Sequence, residues 1–129
     1  MKLLLDTHAF IWAAVDPDKL PKPAHDAIAE LTNDVFVSAA TAWEIAIKRA
    51  IGRLKFPIER FDALITEMGF DSLAMTAAHC VAAGGLPRHH NDPFDRMLIA
   101  QARLEGLSLV TLDDEFRKYD ILLLDLTGG

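Results

Sequence analysis

Short, wholly apolar runs alternate along this chain with longer segments whose apolar residues recur every three to four positions. Lys2 to Leu5 is such a run, suited to a buried strand, and Asp6-Thr7-His8 then opens a helix through Phe10, Ile11, Ala13 and Ala14 that Asp16-Pro17-Asp18 ends. Pro21 and Pro23 precede a second helix to about Leu31, and Val35-Phe36-Val37 is a second strand. A third helix, from about Thr41 to Gly52, carries Trp43, Ile47, Ala50 and Ile51 at helical spacing, and a fourth after Pro57 places Ile58, Phe61, Leu64, Ile65 and Met68 on one face. Phe70 to Leu73 reads as a short strand, and Thr76 as the cap of a helix through Val81 that stops at Gly84-Gly85. Asp92-Pro93 opens a helix that turns Phe94, Met97, Leu98 and Ala102 to the core, with Gly106 just past its end. Leu107 to Thr111 is the next strand, Asp113 to Tyr119 a short helix or turn, and Ile121 to Leu124 the last strand.

This alternation predicts an α/β fold, a central parallel sheet of about four to five strands flanked by helices on both faces, with the functional site at the carboxyl ends of the strands. A single domain over residues 1–129 accounts for the whole chain, which has no internal repeat and no low-complexity linker.

Composition narrows the function classes. The chain is 51% hydrophobic, yet Asp6 ends the N-terminal apolar run far short of a signal peptide's hydrophobic region, and no stretch is long enough to span a membrane, so a soluble cytoplasmic protein is expected. One cysteine, Cys80, excludes an intrachain disulfide and a cysteine-based zinc site; its alanine-rich surroundings predict a buried small residue. With 13 Lys+Arg against 19 Asp+Glu, the net charge of -6 repels nucleic acid at long range, so any such substrate has to be held by a local basic patch and a metal.

Asp6, Glu44, Asp95 and Asp113 each lie where a predicted strand or loop hands over to a helix or turn. Singly, each has a structural explanation: Asp6 caps the first helix, Thr41-Ala42-Trp43-Glu44 has capping-box spacing, Asp95 sits in a first helical turn, and Asp113 or Asp114 caps the last short helix. Capping does not predict that the acids converge. Two carboxylates about 4 Å apart repel by roughly 4 kcal/mol at an effective dielectric of 20, so a shared pocket would call for a hard cation or bound protons.

The strings LLLDTH, VSAATAWEIAIK, DPFDRMLIAQA and LVTLDDEF, in that order, resemble the PIN-domain family and, more narrowly, the VapC-type ribonuclease toxins of toxin-antitoxin modules. The likeness runs over essentially the whole chain. It implies that Asp6, Glu44, Asp95 and Asp113 are the catalytic acids, with Asp6 and Asp95 the central metal ligands, Glu44 and Asp113 completing the pocket, and Asp92 and Asp114 as further candidates. Asp92 also reads as the cap of its helix, because Pro93 follows at the favoured first position. Thr111 matches the family's small hydroxyl residue; it either holds a metal-bound water or is an ordinary strand threonine.

The implied activity is Mg²⁺- or Mn²⁺-dependent hydrolysis of RNA, leaving a 5′-phosphate and a 3′-hydroxyl. Such ions prefer oxygen ligands and keep open positions for water and phosphate. The implied partners are an RNA substrate, a cognate antitoxin that reaches the acids and supplies the only DNA contact, and a second copy of the chain in a homodimer. A non-catalytic PIN-like binding module and a metal nuclease acting on DNA are the alternatives. A metal-free route through His8, His89 and His90 would leave the acids unexplained. For substrate handling, Lys48, Arg49, Arg53 and Lys55 either grip phosphates or answer the helix dipole, Arg96 adjoins Asp95 as a supporting residue, and Trp12 and Trp43 read as core before they read as base-stacking groups.

Overall fold

The computed structural model describes residues 1–126, so the last three residues of the expected domain lie outside the described residues. Its elements are β1 (Lys2–Leu5), α1 (Thr7–Val15), α2 (Lys22–Ala29), β2 (Asp34–Ser38), α3 (Ala39–Ala50), α4 (Phe61–Glu67), β3 (Asp71–Leu73), α5 (Ala77–Gly84), α6 (Pro93–Glu105) and β4 (Ser108–Val110). Tight 3-10 turns at Pro17–Lys19, Ile58–Arg60 and Asp114–Lys118 fill the connections. The strands pair in the order β3-β2-β1-β4, and every pairing is parallel.

Side-chain alternation on the strands builds two cores. Leu3, Leu5, Val35, Val37 and Val110 point to one face, where they meet Phe10 of α1, Ala24 of α2 and Ile65 of α4. Leu4 and Leu109 point to the other, against Ala83 of α5 and Leu98, Ile99 and Ala102 of α6. Both faces are covered, which is why these strands are apolar at every inward position but Ser38 and carry no polar stripe. Two buried polar side chains satisfy one another: the Ser38 hydroxyl donates to Gln101 Oε1 at 2.5 Å, and Gln101 Nε2 donates to the Ala74 carbonyl at 3.2 Å, tying the end of β2 to α6, whereas the buried Tyr119 hydroxyl has no partner among the described residues.

The expected α/β architecture is the observed one, with four local corrections. The strand expected over 121–124 is reduced to a bridge between Leu123 and Leu109, made by two backbone bonds of 2.9 Å. The third helix begins at Ala39 under a Ser38 cap, so Glu44 lies in its second turn and no capping box forms at Thr41. Its buried face is Ala40, Thr41, Glu44 and Ile45, whereas Trp43, Ile47, Ala50 and Ile51, the expected core stripe, are exposed. That helix is apolar on two sides, and periodicity cannot choose between them. Trp43 instead rests edge-on against Phe94, with ring centroids 5.0 Å apart. Cys80 is also exposed, on the outer side of α5, where His79 and Ala83 take the buried positions.

Leu4, at the centre of the sheet and fully buried, tests the second core. Leu4→Ala should lower unfolding stability by about 3 kcal/mol, read as an earlier urea midpoint with an unchanged slope.

Candidate metal centre

The chain builds its sheet outward from β1 through β2 to β3, then returns to lay β4 on the other side of β1. The crevice at this reversal, between the carboxyl ends of β1 and β4, is where open α/β sheets place their sites. Asp6 leaves β1 there, its amide donating to the Val110 carbonyl at 3.1 Å. Its buried carboxylate accepts from the Ala9 amide at 2.8 Å, and the neighbouring Thr111 hydroxyl favours its charged form. Thr111 also accepts from the Asp113 amide at 3.0 Å, so one hydroxyl links the first acid to the turn that carries the last. Asp113 accepts from the Glu115 amide at 2.9 Å and is exposed.

The loop before α6 brings in the third acid. Asp92 caps α6 by accepting from the Phe94 and Asp95 amides, at 2.9 and 3.1 Å. Asp95 then turns inward, with Oδ2 3.0 Å from His90 Nε2. One ligand atom each from His90, Asp95 and Asp113 lies within 4.8 Å of the other two. The Arg96 guanidinium does not face this group. It donates to the carbonyls of Ala83, Leu86, Pro87 and His90, at 2.9 to 3.2 Å, and so staples down the loop that presents His90.

Glu44 approaches from α3 and is almost fully buried. The Thr7 hydroxyl donates to Oε1 at 2.6 Å, and the Lys48 ammonium, one turn along the helix, pairs with Oε2. Beside Asp6 and Asp113 a largely apolar cleft of about 320 Å³ opens, walled by Trp12, Leu20, Ala24 and Leu112.

A family model for the PIN domain matches residues 3–122. The chain belongs to the PIN-domain family. Solved structures agree on the fold. VapBC2 of Rickettsia felis bound to a DNA fragment from its promoter superposes with a TM-score of 0.72 at 18% identity, over 97% of this chain and 98% of that one. FitAcB of Neisseria gonorrhoeae gives 0.67 at 19% identity, over 95% and 96%, and VapBC-1 of nontypeable Haemophilus influenzae gives 0.66 at 23% identity, over 98% and 99%. No curated protein matches the chain.

In this PIN domain the acids perturb one another. Burial pushes the Asp6 carboxyl above its ordinary value, and the Glu44 charge adds to the effect, against the Thr111 and Ala9 hydrogen bonds and the positive potential of His8. Burial also raises Asp95, helped by the charges of Asp92 and Glu44 and opposed by His90, to about 7. Lys48 is raised above the ordinary lysine value, first by its hydrogen bond to Glu44 and then by the charges of Glu44, Asp92 and Asp95. The acids are therefore near enough to feel one another, and one of the chain's own cations, Lys48, is paired with Glu44.

Two residues outside the expected set belong to the cluster. His90 could be found from its place five residues before Asp95, and Lys48 from its place one helical turn after Glu44. Asp114 stands apart: its side chain is 90% exposed and 3.5 Å from Arg117. Arg49 of the basic cluster pairs with Glu59. The histidines of the metal-free route go to separate partners, His8 to Trp12, His89 to Tyr119 and His90 to Asp95.

Folded chains hold the Asp95 proton up to about pH 7, whereas unfolded chains release it near the ordinary value of 3.8. Asp95 thus stabilises the metal-free fold fully at low pH, and that contribution is lost as pH rises through about 7. Relative to Asp95→Asn, metal-free wild type should lose on the order of 2 kcal/mol between about pH 4 and pH 8, the partly open side chain screening the full shift. Urea titrations of both proteins in EDTA across that range measure the difference.

Proposed function

We propose that this PIN domain is a metal-dependent endoribonuclease, the VapC-type toxin of a toxin-antitoxin pair. The observation that carries the reading is the meeting of His90, Asp95 and Asp113 within 4.8 Å at the sheet's reversal point, next to a cleft that Asp113 and buried Asp6 both line. Carboxylates drawn together, with Asp6 and Asp95 raised in affinity for protons, form a donor set suited to a hard divalent cation. Asp6, Asp95 and Asp113 would hold Mg²⁺ or Mn²⁺, with the His90 nitrogen more suited to Mn²⁺. When bound, the ion supplies an acidified water and offsets charge on the phosphate.

The chain's own residues prepare the site. Thr111 fixes Asp6 relative to Asp113, the Asp92 cap fixes the start of α6 and with it Asp95, and Arg96 holds the His90 loop. The cleft beside Asp6 leaves room for a nucleotide next to the phosphate under attack. Single-stranded RNA is the expected substrate, because base-paired RNA hides its sequence in a deep groove. The antitoxin partner is proposed from the solved toxin-antitoxin structures that share the fold, one of them a complex from Klebsiella pneumoniae. No helix among the described residues is long and apolar enough to cross a membrane, and the proposed place of action is the cytoplasm, where RNA is met.

End-labelled total RNA incubated with the antitoxin-free chain should show discrete cuts with 5′-phosphate and 3′-hydroxyl ends that need Mn²⁺ or Mg²⁺, disappear in EDTA and disappear in Asp6→Asn. Cutting that survives EDTA would transfer the chemistry to the histidines. Cutting of DNA alone, or of nothing, would replace the ribonuclease with a DNA nuclease or a binding module.

A further inference from the structure

Glu44 enters the pocket with both carboxylate oxygens engaged, one by the Thr7 hydroxyl and one by the Lys48 ammonium. Lys48 is the one lysine or arginine among the described residues that is ion-paired with Asp6, Glu44, Asp95 or Asp113. The pair is unlike a surface ion pair on two counts: the Glu44 side chain is 4% exposed, and the Lys48 side chain is 36% exposed, open enough to reach a ligand. The ammonium is paired with the acid that lies one helical turn before it, and the charges of Asp92 and Asp95 also act on it. Lysine presents a compact charge with several donors, so one contact to Glu44 leaves others for an anion.

We propose that Lys48 is a phosphate-binding residue of the site, its ammonium placed to receive a non-bridging oxygen of the substrate phosphodiester, and that Glu44 positions Lys48 and is not a metal ligand. The inference rests on the ribonuclease reading and divides its acids by task. Asp6, Asp95 and Asp113 face the cation, while Glu44 and Thr7 hold the one protein charge that attracts the substrate into an otherwise repulsive pocket. The exposed Arg49, Arg53 and Lys55 then need not be near the bond that is cut.

The test uses the full chain, free of antitoxin, with Lys48→Met, Lys48→Arg, Glu44→Gln and Asp95→Asn, each checked for folding by circular dichroism. Mn²⁺ titration is the first readout. Lys48→Met should bind Mn²⁺ about three- to tenfold more tightly than wild type, because a positive charge leaves the surroundings of the ligands. Glu44→Gln should stay within about tenfold of wild type while Asp95→Asn loses measurable binding.

The second readout is binding of a labelled single-stranded RNA in Ca²⁺, with cleavage in Mn²⁺. Lys48→Met and Glu44→Gln should each bind RNA more weakly and lose about 10²-fold in kcat/KM, Lys48→Arg should recover most of that loss, and the double variant should be no worse than either single one. Loss of Mn²⁺ by Glu44→Gln as complete as in Asp95→Asn would make Glu44 a ligand and overturn the assignment. RNA binding and cleavage by Lys48→Met at wild-type strength would overturn the role of Lys48. If the wild type cuts no RNA, the ribonuclease reading fails separately, and the Mn²⁺ and RNA-binding series still decide between a Glu44 that holds Lys48 and a Glu44 that holds metal.

Discussion

Carboxylates crowded at the edge between β1 and β4 are the constraint to which the neighbouring structure answers. Asp6 and Glu44 are nearly solvent-free, and burial alone disfavours their charge before repulsion is added. The compensation comes from every side: the Ala9 amide and Thr111 hydroxyl on Asp6, Thr7 and Lys48 on Glu44, and His90 on Asp95. These partners come from segments far apart in sequence, so the acid pocket is a product of the whole topology. Removing one partner leaves a buried charge under-compensated, which costs more than the contact was worth.

Capping and convergence turn out to be one arrangement. Asp6 caps α1, Asp92 caps α6 and Asp113 caps the last 3-10 turn, as a purely structural reading expects. Helices in a parallel sheet start at its carboxyl edge, so their acidic caps collect there, and the return of the chain to β1's free side brings the first and last of them together. A cap that uses one oxygen, as Asp6 does on Ala9 and Asp113 does on Glu115, leaves the other free to turn into the crevice. A catalytic pocket can thus be assembled from helix caps with little change in local structure.

Local signals in the sequence were enough for the four strands of the sheet, though not for the reduced one at 121–124, and for the helix order and the two-sided cover, because each rests on a short-range pattern: the apolar run Leu3–Leu5, the Asp92-Pro93 start, the Gly106 stop with its left-handed backbone at φ 67°. The same signals failed where tertiary placement decides. Helix α3 has two apolar sides, and only its position across the sheet edge turns Thr41 and Glu44 inward and leaves Trp43 and Ile51 outside. Arg96 looked like a neighbour of the site and is a staple for the loop behind it, because a planar guanidinium fits a ring of carbonyls that no sequence pattern announces. His90 and Lys48 were visible as letters; their membership of the cluster depends on the loop and helix that aim them.

An acidic chain acting on a polyanion, as proposed, would meet a paradox that the local arrangement resolves. The net charge of -6 opposes association at long range, but that field is screened over about 10 Å at ordinary salt, whereas charges inside the crevice act at contact in a lower dielectric. A divalent ion would offset most of the charge of the three ligand carboxylates, and Lys48 that of Glu44, at the point of contact while leaving the remaining surface repulsive. Such a site favours substrates able to place one phosphate deep in the crevice, and it disfavours duplexes whose backbones would lie along the acidic exterior. A basic segment from a partner protein would meet the opposite conditions, attraction from the whole surface as well as from the crevice. The same charges that make a substrate hard to hold therefore make a cationic inhibitor easy to hold, and the proposed toxin and its proposed antitoxin follow from one electrostatic design.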